Sequence, residues 1–136
     1  MEALISNQNV EVVRHAFEAF ARGGIEAMIE YAPDCVFYPD PSWMEDREYR
    51  GREAFIAFNK TQTDAFGDFR IEVHDLRPVG DRVLALIEFV GKASASGMAI
   101  RQQAAHVFSD CHDGKIGKDR TFLSWDAALK AVGLSD

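Results

Sequence analysis

The sequence has few cysteines, and fewer basic than acidic residues, and both features exclude classes of function. Cys35 and Cys111 are its only cysteines and have no motif spacing, so we expect no disulfide framework and a reduced, cytoplasmic setting. Fifteen Lys and Arg stand against 22 Asp and Glu, which gives a formal net charge of -7. Because that balance disfavours contact with a phosphate backbone, we expect no nucleic-acid partner.

Long apolar runs and several catalytic signatures are missing as well. The sequence has no run of roughly 18 apolar residues that would cross a membrane, and its N-terminus lacks the basic and apolar regions of a signal peptide. The four histidines lack metal-ligand spacing, no glycine-rich segment follows a predicted strand, and no serine lies in a nucleophile elbow. We therefore expect no membrane partner, no metal and no cofactor.

The residues that are present predict one α+β domain over residues 1–136. Apolar residues make up 47% of the chain, which is enough for a core. Caps, periodicity and breakers predict helices packed on one side of a curved, mostly antiparallel sheet. The predicted helices run from a cap at Ser6 or Asn7 to Gly23, over 25–31 before Pro33, over 52–65, and from a cap at Ser124 to Val132. The predicted strands cover 35–38, 69–74 with a turn at Pro78 and Gly80-Asp81, 82–91, and two long segments between Gly97 and Phe122.

The two long strands are joined at Asp113-Gly114, and His106 lies in the first of them. An Asp-Gly pair between extended segments is a strong hairpin signal, since Gly supplies the positive φ that the turn needs. Alternation places five residues on one face: Ile100, Gln102, Ala104, His106 and Phe108. Two interpretations of the histidine stay open, a core residue bonded to a backbone carbonyl and a titratable group in a pocket.

Several aromatic residues lie in the middle part of the sequence. Residues 39–51 form an irregular segment with Trp43 and Tyr49, of a length that usually covers a site or takes part in one. Phe55 and Phe58 lie on the apolar stripe of the predicted helix 52–65, and that spacing favours core packing over a ligand box.

The sequence resembles a known family over about residues 7–134. The segments that carry the resemblance are NVEVVRHAFEAFARGGIEAMIEYAPDCVFYPDP, RGREAFIAF, and AHVF followed by DGKI. They are similar to the NTF2-like superfamily, in its SnoaL-like polyketide cyclase branch. The resemblance implies a cone-shaped fold with one deep pocket, and commonly a homodimer built through the sheet. It leaves the activity open, because this fold hosts isomerases, dehydratases, cyclases, epoxide hydrolases and non-catalytic adaptors.

Two positions resemble site residues of ketosteroid isomerase, a relative with this fold. Asp40-Pro41 is similar in place to the Asp-Pro that carries its general base. His106 falls near the position of its protonated Asp, which acts as an oxyanion donor. The Tyr of that site is replaced by Ala16, so we do not expect ketosteroid isomerase activity.

These residues predict a cofactor-independent acid/base enzyme with Asp40 as base and His106 as acid or orienting group. The expected substrate is a small, partly apolar carbonyl compound, and the reaction a cyclisation, isomerisation or dehydration. Arg120 is expected at the pocket mouth or a dimer interface. The predicted apolar walls are Tyr38, Trp43, Tyr49, Phe55 and Phe58. Two alternatives stay open: a non-catalytic protein that binds a small apolar or aromatic molecule, and a dimeric protein-interaction module.

Overall fold

The computed structural model describes residues 2–24, 31–40, 48–64, 66–93 and 95–134. The helices are α1 (Glu2–Gly23), α2 (Arg52–Thr63) and α3 (Trp125–Ala131). The strands are β1 (Tyr31–Tyr38), β2 (Tyr49–Arg50), β3 (Phe66–Val79), β4 (Arg82–Ala93), β5 (Ala99–Ser109) and β6 (Ile116–Phe122).

The six strands form one curved sheet in the order β2-β1-β6-β5-β4-β3. All neighbouring strands are antiparallel except β1 and β6, which run parallel. The predicted α+β fold with a mostly antiparallel sheet is confirmed. The parallel pair joins the first strand of the chain to the last one, and it brings distant parts of the sequence into one site.

The start of the chain differs from the prediction. Helix α1 begins at Glu2, before the predicted cap at Ser6 or Asn7, and it ends as predicted at Gly23, where Gly24 has φ 77°. The predicted helix over 25–31 falls largely on residues outside the described ones. Its last residue, Tyr31, begins β1, which is thus longer than predicted. Pro33 lies inside this strand where the register shifts between Tyr31 and Val36, and such an irregularity tolerates a residue without an N–H.

Strand β3 is an edge strand whose alternation is broken. Its pairing with β4 shifts between Val73 and Asp75, so the alternation changes after Val73. Val73 faces the same side as Ile71, since their partners Ile87 and Phe89 share that face, but it is 42% exposed. Pro78 pairs with Val83 inside the strand, because the outer side of an edge strand needs no N–H donor.

The helices lie on both faces of the sheet, so the prediction that they share one side is wrong. Helices α1 and α2 cover the main core, which includes Val13, Phe55 and Ile87. Helix α3 packs on the opposite face, against the alternate residues Leu84 and Val107. The short helix is strongly anchored, because the Trp125 indole N–H lies 3.0 Å from one strand carbonyl and 2.9 Å from another, those of Ile87 and Ala104.

Two local predictions about turns and caps are confirmed. Asp113 and Gly114 have φ 53° and 71°, as a two-residue hairpin between β5 and β6 requires. Ser124 caps α3, since its hydroxyl accepts the amide hydrogen of Ala127 at 3.3 Å.

No helix within the described residues is long and apolar enough to cross a membrane.

We expect Gly117→Ala to destabilise the fold more than Gly114→Ala does. A Cβ at Gly117 would overlap the backbone carbonyl of Asp110, so the hairpin would have to shift at a cost of about 2–3 kcal/mol. A Cβ at Gly114 meets nothing, and only its left-handed conformation costs about 1 kcal/mol. Chemical denaturation of both variants measures the difference, and equal losses of unfolding free energy would contradict it.

Candidate functional site

A cavity of about 250 Å³ lies between the helices α1 and α2 and the sheet. Six phenylalanines line it: Phe17, Phe20, Phe55, Phe66, Phe69 and Phe89. Aliphatic side chains complete the walls, and five lining residues carry polar atoms: Tyr31, Asn59, Thr63, Gln102 and His106. An apolar cavity with a few polar groups has the composition of a small-molecule site.

His106 lies on the predicted face of β5 and borders this cavity. Its ring stacks on Phe108 at a centroid distance of 5.2 Å and meets the edge of Phe17 at 6.2 Å. The side chain is 12% exposed. These contacts leave the ring little freedom, so its two nitrogens have fixed surroundings.

A buried carboxylate binds one of those nitrogens. His106 Nδ1 lies 2.7 Å from Oδ1 of Asp119, which is 1% exposed. The other oxygen of Asp119 accepts the hydroxyl hydrogen of Tyr31 at 2.7 Å. Thr121 Oγ1 lies 3.3 Å from the same Nδ1. The partner of His106 is thus a carboxylate and not the backbone carbonyl that the core interpretation predicted, and the choice between a core and a functional role stays open.

This arrangement determines what each group can do. A carboxylate accepts hydrogen bonds, so Nδ1 carries a proton and the neutral ring keeps its lone pair on Nε2. Nε2 has no hydrogen-bond partner among the described residues. Burial, followed by the nearby charge of Asp119, raises the pKa of Tyr31 well above its ordinary value, so its hydroxyl stays a donor. The ring can accept a proton at Nε2 and return it.

Asp40 is not the carboxylate next to His106. Its Oδ2 accepts the backbone N–H of Leu123 at 2.8 Å, just beyond the end of β1. Leu123 itself borders the cavity, whereas Asp40 is not among the described residues that line it. The predicted pairing of Asp40 with His106 is corrected to Asp119 with His106, and a catalytic role for Asp40 stays a prediction.

Tyr38 and Arg120 lie together but away from the cavity. They are partners in the pairing of β1 with β6, and the Arg120 guanidinium lies 4.5 Å from the centre of the Tyr38 ring. A hydrogen bond to the Glu48 carboxylate, with some burial, raises the pKa of Tyr38. Neither residue is among the described residues that line the cavity, because β6 turns Asp119 and Thr121 to that side and Arg120 to the other.

Of the other predicted wall residues, one lines the cavity and others do not. Phe55 lines the cavity and stacks on Tyr31 at 4.0 Å, whereas Phe58 packs against Phe37 and Tyr49 and does not line it. Tyr49 is half-buried in that second group. Trp43 lies outside the described residues.

Sequence reasoning missed Asp119, although a signal for it was available. Counting outward from the Asp113-Gly114 turn pairs Phe108 with Asp119 and His106 with Thr121, which is the observed register. Asp119 therefore lies diagonal to His106 on the same face, within reach of a side-chain contact. Tyr31 gave no such signal, because the parallel pairing of β1 with β6 is not encoded in a turn.

One cluster outside the cavity has metal-ligand residue types. Glu72, His74 and Glu88 place their ligand atoms within 4.8 Å of one another. The guanidinium of Arg101 already binds this cluster, 2.8 Å from Glu72 and 3.0 Å from Glu88. The cluster is explained as an ion-pair network.

Comparisons with known proteins agree with this fold. The sequence model of the SnoaL-like domain family matches residues 13–118. No curated protein matches the sequence. A candidate SnoaL-like polyketide cyclase from Jannaschia sp. CCS1 superposes with a TM-score of 0.74 at 21% identity, covering 96% of this chain and 94% of that one.

Two further solved structures share the fold. A protein from Catenulispora acidiphila with a ketosteroid isomerase-like fold, solved with trimethylamine, gives a TM-score of 0.70 at 16% identity over 92% of this chain and 94% of that one. TerC, co-crystallised with polyporic acid, gives a TM-score of 0.72 at 17% identity over 92% of this chain and 98% of that one. At these identities the likeness extends to the fold alone.

We expect Asp119→Asn to change the tautomer of His106. We consider a pH well above the ordinary titration range of histidine, where the ring is neutral. In the native protein this ring should carry its proton on Nδ1, because Asp119 accepts the hydrogen bond. An asparagine can present its N–H₂ group there and shift the proton to Nε2. Long-range ¹H–¹⁵N correlation spectra distinguish the two tautomers. Asp40→Asn is the matched control and should leave them unchanged, and an Nε2–H tautomer in the native protein would overturn the assignment.

We expect the cysteines to react slowly with iodoacetamide. Burial raises the pKa of Cys35 and of Cys111 to about 11 in each case. Since only the thiolate reacts, alkylation of Cys111 in a Cys35→Ser variant should be roughly a hundredfold slower near pH 8 than that of a free thiol. Its rate should keep rising towards pH 11, and a rate that levels off by about pH 10 would show an unshifted thiol.

Proposed function

Because the chain belongs to the SnoaL-like domain family of the NTF2-like superfamily, we propose that it is a cofactor-independent acid/base enzyme. Its substrate is a small, partly apolar carbonyl compound that enters the cavity beside His106. The reaction is an isomerisation, a dehydration or an intramolecular cyclisation, all of which begin with removal of a proton next to a carbonyl.

One observation carries this proposal: His106 borders an apolar cavity while its Nδ1 is held 2.7 Å from a buried carboxylate. A base that is oriented by a carboxylate and faces a bound substrate is the usual arrangement for proton transfer by histidine. Asp119 would act as a positioning group, since it holds the ring and stabilises the imidazolium that forms.

The proton can be followed through each reaction. Nε2 takes a proton from the carbon beside the carbonyl, and the electron pair moves onto the carbonyl oxygen as an enolate. The imidazolium then returns the proton to another carbon in an isomerisation, or to a departing hydroxyl in a dehydration. In a cyclisation the enolate carbon attacks a second carbonyl, and the new alkoxide takes the proton.

The enolate oxygen needs a hydrogen-bond donor, and Asn59 offers one. Asn59 lines the cavity, and its Nδ2 donates to the carbonyl of Phe55 at 2.8 Å. The second hydrogen of that amide has no partner among the described residues. A neutral donor among apolar walls stabilises developing negative charge more than it would in water.

The named relatives support the proposal only as analogies. A candidate polyketide cyclase and a protein with a ketosteroid isomerase-like fold have the same architecture, and TerC was co-crystallised with polyporic acid. Asp40 remains a second predicted proton carrier, and the homodimer implied by the resemblance remains a prediction. A non-catalytic role in binding a small apolar molecule is the second candidate, because the aromatic walls alone would suffice for it.

A substrate-independent test uses the ring opening of 5-nitrobenzisoxazole, an uncharged two-ring probe. A base removes its carbon-bound proton, the N–O bond breaks, and a coloured nitrophenolate forms. We expect the native protein to accelerate this reaction, with His106→Gln losing at least about a hundredfold, because the variant has no base on the cavity wall. Asp119→Asn should lose at least about tenfold, because the ring then takes the wrong tautomer.

Asp40→Asn tests the second predicted proton carrier, and with His106 as the base we expect this variant to keep its rate within about threefold. A loss as large as that of His106→Gln would make Asp40 the base. If the probe binds in the cavity but native and His106→Gln proteins react alike, the enzyme proposal fails and the binding role takes its place. Circular dichroism of each variant verifies that it is folded.

A further inference from the structure

The charge of the cavity walls restricts what the cavity can accept. No Asp, Glu, Lys or Arg is among the described residues that line it. Asp119 bonds to the lining residues His106 and Tyr31, but it is itself buried and does not line the cavity. A bound anion would therefore lose its water without meeting a fixed cation on these walls, and such a loss is costly.

Most hydrogen-bond donors on the walls are already bonded to acceptors of the protein. Gln102 Nε2 donates to the carbonyls of Gln103 at 2.8 Å and Leu123 at 3.3 Å, which uses both amide hydrogens. The Tyr31 hydroxyl donates to Asp119, and the Thr63 hydroxyl donates to the Lys60 carbonyl at 3.2 Å. One hydrogen of the Asn59 amide is the donor left over among these groups.

Acceptor atoms remain on the same side chains. With both hydrogens on carbonyls, the amide of Gln102 can offer a ligand only its oxygen, and Asn59 likewise keeps its side-chain oxygen. His106 adds the lone pair of Nε2, because Asp119 holds the proton on Nδ1. The cavity therefore presents several acceptors and one neutral donor.

The volume and walls set the size and character of the ligand. About 250 Å³ lies just below the range of roughly 300–1,000 Å³ of ordinary small-molecule pockets. The rings of Phe69 lie 5.9 Å from Phe20 and 5.6 Å from Phe89, an aromatic wall suited to another flat ring.

We propose that the cavity binds a small, uncharged aromatic molecule through an N–H or O–H donor of that molecule, and that it rejects carboxylates. This inference rests on the proposed function only in assigning the substrate to the same cavity. The donor of the ligand bonds to acceptors on the wall, while its ring replaces water against the phenylalanines.

Three related compounds separate charge from hydrogen bonding: indole, 1-methylindole and indole-5-carboxylate. Indole is uncharged and has one N–H donor, 1-methylindole lacks the donor, and the carboxylate adds a negative charge. By calorimetric titration at neutral pH we expect indole to bind about tenfold more tightly than 1-methylindole, the effect of one hydrogen bond. We expect it to bind at least about a hundredfold more tightly than indole-5-carboxylate.

The place of binding is tested with two tryptophan variants. Ile100 lines the cavity, so Ile100→Trp should fill it and remove indole binding. Met98, two residues away, is 67% exposed and does not line the cavity, so Met98→Trp should bind indole as the native protein does. Independently of folding in the variants, indole should shift the side-chain NMR signals of Gln102 and His106 in the native protein.

Tight binding of the carboxylate, equal binding of indole and 1-methylindole, or no binding of any of the three would overturn the inference. Unchanged NMR signals of Gln102 and His106 would do the same. The outcome is separate from that of the ring-opening assay, because binding is measured without turnover. Selective indole binding by a protein that fails to open the probe would leave this inference standing while the proposed enzyme falls.

Discussion

The buried carboxylate of Asp119 is the interaction on which this site depends. A carboxylate that is only 1% exposed is costly to bury unless its oxygens are hydrogen-bonded. Here one oxygen accepts a hydrogen bond from the Tyr31 hydroxyl and the other lies against His106 Nδ1, each at 2.7 Å. The three residues come from β1, β6 and β5, three adjacent strands. The same contacts therefore fix the register of the sheet centre and the orientation of the histidine.

Aromatic side chains that line the cavity surround this polar group. The rings of Phe17 and Phe108 hold the imidazole from two sides, and the stacked pair of Tyr31 and Phe55 closes the base of the wall. Low polarity strengthens electrostatic interactions, so a proton transfer at Nε2 would be governed by Asp119 more than by solvent. The separation of one polar group from apolar walls is the basis of the proposed acid/base chemistry.

The opposite face of the sheet explains how the fold tolerates a cavity. Leu84 and Val107 pack there against α3, and the Trp125 indole bonds two strand carbonyls. This second core stabilises β4 and β5 by burying their alternate side chains. The cavity face of the same strands can then remain partly unfilled, which a sheet with a single core would tolerate less well.

The sequence by itself determined the local features and the fold class. Asp113-Gly114, Gly24 and Ser124 act within a few residues, through backbone conformation and capping, so their positions were predictable. Counting from that turn could also have found Asp119. Only the tertiary structure decided that β1 pairs in parallel with β6, which brings Tyr31 to Asp119 and turns Arg120 away from the cavity. It also placed α3 on the far face and shifted the register of β3 after Val73. These outcomes depend on packing between distant segments, whose energies no local pattern contains.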